Sequence, residues 1–252
     1  MTMTSPSEHS SRADELRDRL QRVRSRIAAA ERPPGTPEPQ LIVVTKYFPA
    51  SDVGILAGLG VRDVGENKDQ EASAKAADLA HLDLAWHFIG QLQSNKAKSV
   101  VRYAASVHSV DRRSLVTALG KAMAAEQRRR ESEGLAARAD LSCFLQVDLQ
   151  EEHAADPGRG GALPADLPLL ADAVAGTPGL VLSGLMAVAP LGADAGEAFA
   201  RLRQLSEQLQ AEHPGARSLS AGMSSDLEAA VAHGATHLRI GSDVLGPRPP
   251  VR

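Results

Sequence analysis

Four apolar residues, Leu16, Leu20, Val23 and Ile27, recur at steps of four, three and four with arginines and acids between them. That spacing predicts an amphipathic helix near the N-terminus, buried along one stripe. The segment ERPPGTPEP at residues 31–39 ends it, because proline neither donates a backbone hydrogen bond nor tolerates helix before it. Ahead of the helix, residues 1–11 are small, polar and proline-containing, and a disordered tail is expected there. The folded domain is then residues 12–252.

From residue 40 onward the pattern alternates. Short apolar runs open near Leu41, Val61, Leu84, Ala105, Leu141, Leu180, Arg217 and Thr236, and helical periodicity fills most of the gaps. Residues 114–137 form one such helix. Residues 197–212 form another, with Leu202, Leu205 and Leu209 on one face. Strands alternating with helices over this length read as a parallel (β/α)8 barrel in the α/β class, a TIM barrel carrying one extra N-terminal helix. A doubly wound open sheet is the alternative, weakened because no Gly-rich dinucleotide fingerprint follows the first strand. The glycines and prolines at residues 156–168 predict a long mobile loop rather than a domain boundary.

Composition narrows the class. With 43% apolar residues in 252, the chain can bury a sizeable core. A net charge of −3 does not support a general nucleic-acid binder, and 3% aromatic content argues against base-stacking platforms. A single cysteine, Cys143, excludes an intramolecular disulfide and any multi-cysteine metal site within the chain. Its apolar setting, LSCFLQV, predicts a buried structural thiol. No signal peptide and no membrane-length apolar run is present, so the chain is expected to be cytoplasmic and off the membrane.

The active face of such a barrel lies at the C-terminal ends of its strands. The first strand ends at Thr45-Lys46. A lysine there either points into the barrel mouth, where partial desolvation frees its amine to form a Schiff base, or snorkels to the surface. The second strand ends at Gly65-Glu66-Asn67, with Glu66 a possible ion-pair partner. In the third, His87 fits a satisfied core histidine as well as a site residue. Residues 91–96 should start a helix, with Ser94 as its N-cap. The turns at residues 220–224 and 239–242 are rich in glycine and serine, and a helix is expected near Ser225. Loops after strands seven and eight commonly hold phosphate in these barrels. His233 and His237 are four apart, but Gly234 lies between them and no zinc-protease motif is present. The run QRRR at residues 127–130 reads as a solvated helix face.

A lysine ending strand one, together with a phosphate cup at strands seven and eight, suggests pyridoxal 5′-phosphate. The segments VVTKYFP (residues 43–49), VGENKDQE (64–71), WHFIGQLQSNK (86–96), VHSVD (107–111), SGLMAVAP (183–190) and LSAGMSSDLEAAVAHGATHLRIGSDVLGPR (219–248) carry a resemblance to one family. They resemble the pyridoxal phosphate homeostasis proteins, in the family's order, over residues 13–248. The resemblance implies a single alanine-racemase-like barrel in which Lys46 carries the cofactor as a covalent aldimine. It implies Ser220, Ser224, Gly241 and Ser242 at the phosphate, Arg239 facing the pyridine nitrogen, and Asn67, His87 and Met186 lining the ring pocket. Departures from the family pattern are Tyr47-Phe48 after the lysine, Asp148 where asparagine is usual, Arg159 near the usual lysine, and Ser242 for threonine.

An always-charged arginine donates to a ring nitrogen without protonating it, so carbanion chemistry is weakly supported. The expectation is a monomeric protein that holds pyridoxal 5′-phosphate and passes it to apo-enzymes, with no catalytic residue assigned. A single-domain racemase using His87 as second base, and a barrel acting on another phosphorylated metabolite, are the alternatives.

Overall fold

The computed structural model describes residues 6–150 and 160–248. The first helix, α1 (Pro6–Ala29), packs the predicted stripe inward, with Leu16, Leu20, Val23 and Ile27 all buried. It begins at Pro6, within the stretch expected to be a tail; residues 1–5 lie outside the described residues.

The alternation follows as expected. Strand β1 (Gln40–Val44) leads to α2 (Ala50–Gly58), β2 (Asp63–Glu66), α3 (Asp69–Asp78) and β3 (Ala85–Phe88). A 3-10 turn at Ser94–Lys96 runs into α4 (Ala97–Val100), followed by β4 (Ala104–Val110), α5 (Arg113–Ser132) and β5 (Leu141–Gln146). Then come α6 (Leu167–Ala175), β6 (Leu180–Met186), α7 (Ala195–Glu212), β7 (Ser218–Ser220), α8 (Leu227–Ala232), β8 (His237–Ile240) and α9 (Ser242–Leu245). The strands pair in chain order and close, all parallel, with Gln40 to Val43 of β1 in register with His237 to Ile240 of β8. The open-sheet alternative is excluded.

Strand residues alternate between two environments, as the pleat requires. Val43, Val64, Trp86, Phe88, Val107, Leu145, Leu185 and Leu219 join one apolar cluster with the α1 stripe and the inner faces of the helices. The other face of each strand fills the barrel interior, and there the chain places histidines, serines and an arginine rather than hydrocarbon alone. Cys143 is fully buried, and burial pushes its thiol up to about 12.

Several boundaries differ from expectation for local reasons. Helix α5 stops at Ser132 rather than near residue 137, because Gly134 enters the left-handed region at φ 65. Ser94 caps nothing with its side chain; it lies inside the 3-10 turn, after Gln93. Helix α8 starts at Leu227, not at Ser225, because the Asp226 carboxylate turns back to accept the Met223 N–H at 2.5 Å. Of the expected loop at 156–168, residues 156–159 lie outside the described residues. Ala162 beyond them exchanges hydrogen bonds with Gln146 and Asp148, and Leu167 already opens α6. Arg129 and Arg130 of the expected solvated run both pair with buried Glu126.

Candidate functional site at the β1–β8 seam

Lys46 stands two residues past β1, half-buried, in the turn Thr45-Lys46-Tyr47-Phe48. The Phe48 N–H donates to the Thr45 carbonyl at 3.1 Å and closes that turn. Tyr47 at its third position has φ 71, the only positive φ of a non-glycine among the described residues. Such a conformation costs about 1–2 kcal/mol for an L side chain, so something must hold it.

The holding groups come from β2 and α3. The Lys75 ammonium donates to the Thr45 carbonyl at 2.8 Å and to Glu66 Oε1 and Glu71 Oε1, each at 2.7 Å. Glu71 Oε1 accepts the Tyr47 N–H at 2.7 Å, and Glu66 Oε1 accepts the Thr45 hydroxyl at 2.7 Å. Lys75 and Glu66 are both buried. Burial pushes the Glu66 carboxyl above the usual range against the opposing pull of Lys75, and its Oε2 has no partner.

Lys46 opens onto a cleft of about 290 Å³ lined by Val44, Lys46, Tyr47, Phe48, Gly241, Ser242, Gly246 and Arg248. It lies where the first and last strands meet. The Arg248 guanidinium covers the Tyr47 ring at 3.6 Å, and the Lys46 and Lys68 amines stand 5.8 and 6.0 Å from the same ring. The Ser242 hydroxyl donates to the Ser224 hydroxyl at 3.2 Å, bringing the two turns together. From outside, Arg26 of α1 bonds the Ser224 carbonyl at 3.0 Å, Asp243 at 2.6 Å and Glu228 at 2.8 Å. A larger cleft of about 370 Å³, between Leu149-Gln150 and residues 190–201, is lined by Asp194, Glu197 and Arg201 and has no lysine among its described residues.

Below the seam cleft the barrel interior carries a chain of polar contacts. Arg239, in register with Ile42 and deeper than Lys46, donates to Ser220 Oγ at 2.5 Å and to the Ala187 carbonyl at 2.8 Å. Burial lowers this guanidinium to about 10, which leaves it charged at neutral pH. Ser220 Oγ meets His108 Nδ1 at 2.9 Å; His108 Nε2 meets His87 Nδ1 at 3.0 Å, with Ser106 Oγ bridging the two rings; His87 Nε2 meets Asp63 Oδ1 at 2.9 Å. Burial, followed by the nearby His87, Arg239 and His237, holds His108 well below the ordinary histidine range.

The predicted residues therefore fall into two groups. Lys46, Gly241 and Ser242 share the cleft, with Ser224 against Ser242. Ser220, His87 and Arg239 belong to the interior chain instead. Ser220 is wholly buried, because its hydroxyl serves Arg239 and His108 rather than the Ser224–Ser242 pair. His87 is committed to Asp63, Ser106 and His108 and so is a satisfied core histidine. Met186 ends β6 in register with Ser220 and is buried. Asn67 follows β2 with its Oδ1 buried and unpartnered. Its position depends on Gly90, where a Cβ would overlap the Asn67 carbonyl oxygen. His108, Asp63 and Lys75 were not singled out from sequence; the only signals were a histidine inside the apolar run ASVHSV and acids at the start of β2 and α3.

These residues suit a phosphorylated aldehyde. A half-buried amine can condense with a carbonyl carbon, the paired Ser224 and Ser242 hydroxyls could donate to a phosphate, and the unpartnered Asn67 Oδ1 could accept one further hydrogen bond. The closed barrel with a lysine after its first strand defines a protein of the alanine-racemase type: the alanine racemase N-terminal domain family matches residues 13–249. The pyridoxal phosphate homeostasis protein of Mycobacterium tuberculosis is 43% identical over 260 aligned residues, which cover 96% of each chain. The structure of PipY from Synechococcus elongatus with PLP bound is similar at a TM-score of 0.72 and 36% identity, over 92% of this chain and 100% of that one. Alanine racemase from Corynebacterium glutamicum shares the fold alone, with a TM-score of 0.66 and 12% identity over 92% of this chain and 60% of that one. This chain belongs to the pyridoxal phosphate homeostasis protein family.

Proposed function

We propose that this chain binds pyridoxal 5′-phosphate on Lys46 and holds it as a cytoplasmic reserve for transfer to apo-enzymes, acting as a monomer. The observation that carries the reading is that Lys46 and Ser242 line one cleft at the β1–β8 seam. When bound, the cofactor supplies an aldehyde that an amine can take up as a Schiff base and a ring that withdraws electrons. In this reading Ser224, Gly241 and Ser242 hold the phosphate, and Asn67 and Met186 flank the ring. Arg239 stands below toward the ring nitrogen, kept in place by Ser220.

Storage rather than turnover is favoured by His87. A racemase-like reaction needs a second acid or base opposite Lys46, and His87 is spent on Asp63, Ser106 and His108. Arg239 remains a cation that donates without delivering its proton.

The visible spectrum of purified protein before and after borohydride tests the assignment. The expected result is a band that borohydride bleaches, with the reduced pyridoxyl mass on Lys46. No band after adding pyridoxal 5′-phosphate overturns the reading. Incubation with L-amino acids in deuterated water tests the storage role: Cα exchange that disappears in Lys46→Ala would replace it with catalysis.

A further inference from the structure

The cluster of Lys75, Glu66 and Glu71 is larger than an ordinary helix-to-strand ion pair. It gathers one ammonium and two carboxylates around a single stretch of backbone. Lys75 holds the carbonyl of Thr45, immediately before Lys46, and Glu71 holds the N–H of Tyr47, immediately after it. Both contacts meet in the same pair, since Lys75 also donates to the Glu71 oxygen that Tyr47 uses. Glu66 anchors the assembly to the barrel by accepting from Lys75 and from the Thr45 hydroxyl. Lys46 is therefore the one residue of its turn flanked on both sides by charge-assisted bonds to buried or half-buried groups, and such bonds are among the strongest available to a backbone.

Tyr47 explains why they are needed. A tyrosine at φ 71 would ordinarily relax to negative φ, swinging the preceding peptide and redirecting the Lys46 side chain. Glycine would occupy the position without restraint; this chain keeps an aromatic ring there, which Arg248 covers.

We propose that Lys75, acting with Glu66 and Glu71, is the positioning group for Lys46: it locks the peptides on either side so that the amine is presented to the seam cleft for condensation with an aldehyde. That condensation forms one C=N bond and releases one water, and the cluster takes no part in it. The inference rests on the proposed function for its ligand, although not for its geometry.

The test is a double-mutant cycle. Pyridoxal 5′-phosphate affinity is measured by equilibrium dialysis for the parent, Lys75→Met, Lys46→Ala and the double variant. A positioning role predicts about a tenfold loss from Lys75→Met when Lys46 is present, and a loss below about twofold when Lys46 is alanine. An equal loss in both backgrounds, or none in either, overturns it. Restoration of binding in Lys75→Met by Tyr47→Gly is also expected, since glycine takes the left-handed conformation unaided. Should Lys75→Met fold poorly, half-exposed Glu71→Gln is read in the same cycle. Labelling with glycolaldehyde and borohydride, scoring Lys46 against Lys68 in one digest, needs no cofactor. An unchanged ratio in Lys75→Met overturns the positioning role. A reduced ratio in a chain that takes up no pyridoxal 5′-phosphate keeps that role and overturns the functional reading instead.

Discussion

The Arg239 guanidinium donates to the Ser220 hydroxyl at 2.5 Å, and the same oxygen meets His108 Nδ1 at 2.9 Å. A guanidinium only donates and an ionised carboxylate only accepts. With Arg239 at one end and Asp63 at the other, the chain is assigned one polarity. Ser220 passes its proton toward His108, His108 passes toward His87 and Ser106, and His87 donates to Asp63. His108 is neutral in that arrangement, in keeping with its depressed basicity.

Ser220→Ala should therefore act on stability. It strands an Arg239 N–H and a His108 nitrogen inside the barrel, at a cost of about 1–3 kcal/mol. Ser224→Ala and Ser242→Ala, at the half-buried and exposed rim, should change stability by less than about 0.5 kcal/mol yet weaken pyridoxal 5′-phosphate binding. Urea unfolding set beside a binding titration separates the cases. If Ser220→Ala is as stable as the parent, the directed chain is wrong.

Acid should unfold the protein through His237. Burial, reinforced by His87 and Arg239 and opposed by Asp63, lowers this imidazole to about 4. The folded state resists a proton that the unfolded chain accepts below about pH 6.5, so stability is full above that value and falls as pH drops toward 4. The loss should reach roughly 3 kcal/mol at most. Urea midpoints compared near pH 7 and pH 5 should fall in the parent and fall less in His237→Phe; parallel losses in both would exclude His237 as the cause.

Gly90→Ala should damage the site from behind. Its new methyl overlaps the Asn67 carbonyl, so the β2–α3 junction must shift, at about 1–3 kcal/mol. Cofactor affinity should fall as well, because Asn67 moves with its backbone. Unchanged affinity would remove Asn67 from the binding site.

Much of this could be read along the chain. Each strand announces itself as a short apolar run, and the helix stripes at Leu16–Ile27 and Leu202–Leu209 repeat at helical spacing. Lys46 is visible because a lysine one residue beyond four consecutive apolar residues, Leu41 to Val44, is an unusual strand end. Partnership across the barrel leaves no such trace. His87 and His108 lie in different strands, and nothing local says that their rings meet. Lys75, in EASAKAAD, reads as a surface helix lysine; only the packing of α3 against the β1 turn turns it inward. Ser220 and Ser224 look alike in a serine-rich segment, yet Ser220 ends β7 and is wholly buried whereas Ser224, in the turn beyond the strand, meets Ser242 at the rim.

Arg26→Ala should loosen the rim without unfolding the molecule. Arg26 ties the Ser224 carbonyl to Asp243 and Glu228, so its removal frees both serine turns from α1. Because these pairs are well exposed, stability should fall by less than about 1 kcal/mol. Pyridoxal 5′-phosphate binding should weaken several-fold, measured by calorimetry at fixed ionic strength. An unaltered affinity would mean that α1 only covers the barrel.

The β1–β8 seam joins the start of the barrel to its end, so Lys46 and Ser242 become neighbours only when the ring closes. During translation at about 5–20 residues per second, roughly 10–40 s separate the making of the two. On the proposed reading, a nascent or truncated chain would own the amine without the Ser224–Ser242 pair and would hold the aldehyde only weakly. Occupancy of Lys46 would thus mark chains whose synthesis and folding have both finished, and a ribosome-stalled fragment would leave the cellular cofactor pool untouched.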